Sequence, residues 1–325
     1  MSREKLNTNK NNMKQKIFTI LKICISGGLI YFLFARIGVN NLIDQFISAN
    51  IYWILAGASV FTLGHILGAY QWYLLLKSKS IDLSFWRVIK FYYVGLFFNN
   101  FLLGYVGGDA FKIYDVKKDT GNVSGTFATV FFDRFIGFLA ISSLALFATI
   151  IWVKKVDSYA IIYITLIIFA VWAVGFYFLF HEKATKKFSW PFRIILPKVA
   201  YKKLKEIYFE LNSFKHSKIL LLQIFVIDIV AQSFKILRHC CTALSVGVNI
   251  KVFYFFIFVP IISIVASLPI SLGGIGVREQ SGIMLFTQIG VLPAKIVAFE
   301  VIAYIVGIII TIPGAFFFIF NKKRK

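Results

Sequence analysis

Acidic residues are scarce in this chain: 14 Asp and Glu stand against 36 Lys and Arg, for a formal net charge of +22. Histidine is scarcer still, and the four present, His65, His181, His216 and His239, form no converging pattern for acid–base catalysis. The three cysteines, Cys24, Cys240 and Cys241, fall in apolar runs without C-x-x-C spacing, which argues against a zinc site or a disulfide framework. In "RHCC" (238–241) the neighbouring side chains of a helix point in different directions and do not converge on a metal. "GGIGVRE" resembles part of a nucleotide-binding glycine loop, but Glu279 stands where a third glycine is needed and no βαβ unit surrounds it. No cofactor is therefore expected. A soluble domain is also missing, because little sequence is left between long apolar stretches.

What fills the chain is hydrocarbon. With 59% hydrophobic and 18% aromatic residues and a mean hydropathy of +0.78, the composition is that of a polytopic membrane protein. Its length accommodates roughly six to eight spans of about 20 residues. The basic residues cluster between apolar runs, so they are read as topology determinants rather than as a nucleic-acid surface. Attraction of anionic lipid headgroups is compatible with that role. Arg3, Lys5, Lys10, Lys14 and Lys16 precede an apolar run from Ile17 that has no small-residue cleavage site, so a retained first span is expected.

Full spans are expected at 17–34, 51–76, 125–153, 159–180, 219–247 and 294–319. Two other runs are interrupted. Residues 88–111 are flanked on both sides by cations, Lys77, Lys79, Arg87 and Lys90 before and Lys112, Lys117 and Lys118 after, so both ends want the cytoplasm. That predicts a re-entrant pair of short helices. Residues 253–292 contain Pro260 and "SLPISLGGIGVREQSG", too broken for one clean helix. With the N-terminus inside, the basic loops and the tail 321–325 all face the cytoplasm. Loop 181–218 fits either a surface-lying amphipathic helix around 199–214 or a solvated loop that sets orientation. The organisation expected is a basic cytoplasmic segment 1–16, one membrane domain 17–320 with repeat-like halves at about 51–180 and 219–320, and the basic tail. The fold class is all-α, with about six transmembrane helices, two re-entrant elements and inverted internal repeats.

The repeat rests on "LLGYVGGDAFK" (102–112) and "LPISLGGIGVR" (268–278), in which Gly107-Gly108 matches Gly273-Gly274 and Lys112 matches Arg278. An acid follows each at a similar distance, Asp133 and Glu300. Glycine pairs free backbone groups to face a cavity, and a broken helix presents a positive end; the cation one turn further suits a phosphate. The candidate translocation residues are Asn99, Asn100, Gly107, Gly108, Asp109, Lys112, Asp133, Arg134, Gly273, Gly274, Gly276, Arg278, Glu279 and Glu300. Arg134 is expected to pair with Asp109 or Glu279; Asp133 either belongs to a gate or is hydrated near a helix end. Asn99-Asn100 either line the cavity or hold helices together. Charges inside spans, which include Asp228, Lys235 and Arg238, carry a functional presumption.

The segments "NNFLLGYVGGDAFKIY", "FFDRFIGFLA", "SLPISLGGIGVREQSG" and "FTQIGVLPAKIVAFEVIAY" resemble the flippase-like transmembrane region of lysylphosphatidylglycerol synthases and its stand-alone relatives, over roughly residues 15–320. The family pattern carries a proline near the first glycine pair and a Glu-Arg pair in the next helix, where this chain has Leu103-Gly104 and Asp133-Arg134. An arginine common in the last helix of relatives is replaced by "AFEVIAYIVG". The resemblance implies movement of a lipid between leaflets, such as an aminoacylated phospholipid or a lipid-linked sugar. The synthase domain of fused relatives has no counterpart before Lys325, so synthase activity is not expected. The leading expectation is a non-enzymatic lipid translocase of the cell membrane, passive or ion-driven, with Asp133 or Glu300 as proton carriers. A membrane-embedded transferase and a non-transporting partner of a lipid-modifying enzyme are the alternatives.

Overall fold

The computed structural model describes residues 39–101, 106–152, 159–181, 198–268, 271 and 274–321. Eleven α-helices occur among them: α1 (Val39–Ile47), α2 (Ile51–Ser78), α3 (Phe85–Phe101), α4 (Val106–Thr120), α5 (Val123–Ile151), α6 (Tyr159–Phe180), α7 (Lys198–Asn212), α8 (Lys218–Ser245), α9 (Val252–Ser267), α10 (Val277–Phe286) and α11 (Pro293–Asn321). Five of these, α2, α5, α6, α8 and α11, are long and apolar enough to cross a membrane, and they coincide with five of the six expected spans. The sixth, 17–34, lies outside the described residues.

Local sequence explains the helix starts. Asn50 caps α2 by accepting from the Tyr52 N–H, and Asn122 caps α5 by accepting from the Gly125 N–H, each satisfying a donor left open at a helix start. The interrupted runs resolve into two pairs of short helices, α3 with α4 and α9 with α10. The first break differs from expectation. Gly107-Gly108 is not the interruption itself, because α4 already begins at Val106 and the pair occupies its first turn. In the second run Gly274 and Gly276 adopt φ of 79° and 82°, a left-handed conformation that residues with a Cβ resist. The Glu279 carboxylate then accepts from the Gly276 N–H at 2.7 Å and closes the start of α10.

Each short pair folds back on itself. In the first, Asn99 lies against Gly108 and the Phe98 ring stacks on Phe111 at 3.9 Å between centroids. In the second, Ile262 approaches Gly282 and Phe258 meets Phe286 edge-on at 5.1 Å. A long helix follows each hairpin, α5 after the first and α11 after the second. The packing partners match in the same way: α3 lies on α11 as α9 lies on α5. The most extensive contact joins α2 to α8, antiparallel, with Gly57 against Cys241 and Gly64 against Ala231. Glycine lets these backbones approach, which is how helices associate where lipid removes the hydrophobic drive.

On the cytoplasmic side expected from charge, α7 occupies most of the segment foreseen as an amphipathic helix. Lys79 Nζ meets Glu210 Oε2 at 2.6 Å, and Asn212 Nδ2 donates to the Leu179 carbonyl at 3.0 Å. These contacts tie α7 to the ends of α2 and α6.

Candidate functional site

A cavity of about 240 Å³ lies between the two halves of the bundle. Side chains from α2, α3, α5, α8, α9 and α11 line it, together with Ser271, Gly274 and Arg278 around the second break. Polar groups are concentrated here although the surrounding helices are apolar. His65, Gln71, Asn99, Asp228, Arg238 and Ser271 are each less than a tenth exposed, and all of them border the cavity.

One wall is built around an ion pair. Arg134 donates from Nε and Nη2 to the two oxygens of Asp109, both at 2.8 Å, a bidentate geometry that joins α5 to α4. Lys112 completes the cluster: its ammonium is 3.6 Å from Asp109 Oδ1 and 4.3 Å from the centroid of the Tyr92 ring. At 1% exposure it is wholly internal, its charge held by one carboxylate and the π face of Tyr92. Asn99 Oδ1 accepts from the Gly108 N–H at 2.9 Å, and Asn100 Nδ2 donates to Thr311 Oγ1 at 2.7 Å, bridging α3 to α11.

The opposite wall carries a second chain of contacts. Arg238 sits 3.8 Å from the Phe61 ring centroid, and its Nη2 donates to His239 Nε2 at 2.9 Å. An arginine only donates, so Nε2 accepts and Nδ1 keeps the proton. His239 Nδ1 accordingly donates to Glu300 Oε1 at 3.2 Å. The Arg278 guanidinium lies 5.3 Å from the Tyr304 ring centroid, beside Gly274.

Of the residues singled out from sequence, Asn99, Asn100, Asp133, Arg134, Gly274 and Arg278 border the cavity. Gly108, Asp109, Lys112, Gly276, Glu279 and Glu300 sit behind its wall, where they hold the bordering residues or the hairpin turns. Gly107 is half-buried in the first turn of α4, and Gly273 lies outside the described residues. Lys112 and Arg278, matched in the repeat, do not share the cavity: Lys112 is sealed among α2, α3 and α4. Between the two alternatives for Arg134, the partner is Asp109.

His65, Gln71, Gln232 and Tyr304 were not singled out from sequence. A signal for the α8 face was nevertheless present: Asp228, Gln232, Lys235 and His239 recur at helical spacing within an apolar run, so one stripe faces one place. His65 and Gln71 carry no such pattern, and only the packing of α2 on α8 brings them to the cavity.

Residues 19–314 match the family described as the lysylphosphatidylglycerol synthase TM region. The chain belongs to that family. A UPF0104 membrane protein of Pyrococcus horikoshii is 33% identical over 117 residues, which cover 35% of this chain and 35% of that protein. The aligned stretch thus spans about a third of that relative's length. Membership places the chain among lipid-related membrane proteins.

Proposed function

We propose that the protein is a lipid translocase that moves an anionic or aminoacylated phospholipid, or a lipid-linked sugar, between leaflets. The observation that carries this reading is a cavity lined with charges of both signs inside a bundle whose outer helices are apolar. Buried ionisable groups are costly in a membrane and mark substrate or ion pathways. The two hairpins, each followed by a long helix and cross-packed onto the other half, support an inverted repeat with its substrate site at the repeat interface. In this reading both hairpins are re-entrant, both termini are cytoplasmic, and alternating access exposes the cavity to each face in turn. Arg278 and Arg238 hold the phosphate. Lys112 acts indirectly, by holding Asp109 and through it Arg134.

The test is purified protein in liposomes containing a fluorescent phospholipid, with a panel of native lipids. Headgroup movement is expected; product formation instead would favour a membrane-embedded transferase, and neither would favour a partner of a separate lipid-modifying enzyme. Arg278→Ala should leave the fold intact and weaken headgroup binding about ten- to a hundredfold, since a charge-assisted hydrogen bond contributes roughly 1.5–3 kcal/mol. Arg278→Lys should recover part of the loss, because lysine keeps the charge without the planar donor fork. Normal transfer by a stable Arg278→Ala protein would remove that residue from the site.

A further inference from the structure

Four uncharged side chains of the cavity wall are incompletely hydrogen-bonded: His65 and Gln71 of α2, Asn99 of α3, and Ser271 at the second break. Each is less than a tenth exposed, and each keeps one buried polar atom without a partner. For Gln71 that atom is the acceptor Oε1, because Nε2 donates to Asp133 Oδ1 at 3.2 Å. For Asn99 it is the donor Nδ2, because Oδ1 accepts from the Gly108 N–H at 2.9 Å. His65 Nδ1 and Ser271 Oγ can serve in either role. Along α2, His65, Gly68 and Gln71 recur every third residue on the cavity side, and Gly68 leaves room for the Tyr92 hydroxyl, which a Cβ there would meet. Buried polar groups without partners cost stability, so four of them around one cavity point to a ligand that completes them.

Net charge does not select that ligand. Lys112, Arg134 and Lys235 balance Asp109, Asp133 and Asp228, while Arg238 reaches Glu300 through His239 and Arg278 adjoins Glu279. Discrimination between headgroups then falls to hydrogen bonding. An ionised phosphate only accepts and an ammonium only donates, whereas a hydroxyl does both, so several hydroxyls on one small framework complete the donors and the acceptors together. At about 240 Å³ the cavity is many times the roughly 10–15 Å³ that one water needs, which suits an occupant of headgroup size.

We propose that the cavity takes an uncharged, polyhydroxylated group, a sugar ring whose hydroxyls donate to Gln71 Oε1, accept from Asn99 Nδ2 and pair with His65 Nδ1 and Ser271 Oγ. The sugar is supplied either as the headgroup of a membrane lipid or free in solution. The lipid source rests on the translocase reading, whose cargo it narrows to a lipid-linked sugar.

The experiment measures the Tm of protein purified in a polyoxyethylene detergent, which brings no sugar of its own. The titrants are dioctanoylglycerol carrying a glucosyl, galactosyl or mannosyl headgroup, the same glycolipids methylated at every hydroxyl, and the free sugars. A ligand that binds only the folded state raises Tm, so at least one glycolipid should give a saturable rise that its methylated form does not. An equal rise with the free sugar assigns a soluble sugar, whereas a rise with glycolipid alone assigns a headgroup. Ser271→Ala and His65→Phe, the latter keeping a ring edge-on to Phe61, should each weaken the apparent affinity about two- to tenfold. Without ligand both should match or exceed the wild-type Tm, because each removes a buried group that has no partner in the protein. A flat Tm with every sugar, or equal rises with native and methylated glycolipids, overturns the site. So does an unchanged affinity in the variants, or a lowered ligand-free Tm in both, which would show that these atoms are satisfied within the protein. Should one variant not fold, the other decides. Lipid transfer is not read: a phospholipid can still cross in liposomes if this site fails, and a sugar can still bind if transfer fails, so the two failures are distinguishable.

Discussion

Gly108 faces the backbone of α3 with no room to spare. A methyl group there would fall on the Gly95 carbonyl oxygen, and the Asn99 amide that caps the first turn of α4 stands 2.6 Å from it. Neither neighbour is the loose end of a long side chain, so the hairpin must open to admit it. Gly108→Ala is expected to lower Tm sharply or abolish folded protein, beyond the 1–3 kcal/mol usual for overpacking. Size-exclusion profiles and thermal melts check this; a monodisperse variant with unaltered Tm would show that α3 and α4 are not packed this closely. The glycine pair was visible in the sequence as an oddity. Its function was not, because the sequence does not reveal which backbone passes within contact distance.

The α3–α4 hairpin is closed at its open end by an ion pair, Arg87 Nη1 to Asp119 Oδ2 at 3.4 Å. Both partners are partly exposed, so the pair itself contributes little stability. Its value is positional: the start of α3 and the end of α4 lie at one level. If that level is the cytoplasmic interface, single cysteines at Lys90 and Lys117 should label with a membrane-impermeant reagent from the cytoplasmic side only. Labelling from opposite faces would end the re-entrant reading and the inverted repeat together. The charges flanking 88–111 made this hairpin legible, since a segment with cations at both ends has no favourable way to cross once. The second hairpin was less legible. Gly274 and Gly276 need positive φ to turn into α10, and a Gly-rich string alone does not say which of its members make the turn.

At the scale of the whole molecule the α2–α8 seam is the central joint. Its helices are antiparallel and meet through glycine, and in the translocase reading they are expected to form a static axis around which the hairpins move. A Cβ built on Gly57 lies 3.1 Å from the Cβ of Cys241, so a few tenths of an ångström of separation would bring the pair to the roughly 3.5–4.5 Å of a disulfide. Gly57→Cys should therefore cross-link to Cys241 under mild oxidation in a Cys24→Ser, Cys240→Ser background. Gel mobility after protease cleavage in the α7 region would report the bond. If the seam is static, the cross-linked protein should retain the transfer rate of its reduced form in liposomes. Loss of transfer on oxidation, recovered on reduction, would relocate the moving joint to α2 and α8.

Composition and periodicity determined the membrane setting and five of the long helices, because a run that must satisfy its backbone in hydrocarbon has to be helical and about 20 residues long. Charge between the runs predicted which ends want the same face, and the second glycine motif marked a helix break, whereas the first glycine pair fell inside the first turn of α4. The identity of the cavity was decided only by tertiary packing. Asp109 and Arg134 are 25 residues apart and became partners because α4 returns against α5; either could have paired elsewhere. Lys112 and Arg278, equivalent in the sequence repeat, were separated by packing, one enclosed against Tyr92 and the other placed at the cavity beside Tyr304. Gln71 and His65 reach the cavity only because α2 lies on α8. Hydrophobic pattern specifies which residues avoid water; which buried polar groups meet is settled by helix contacts that the pattern does not encode.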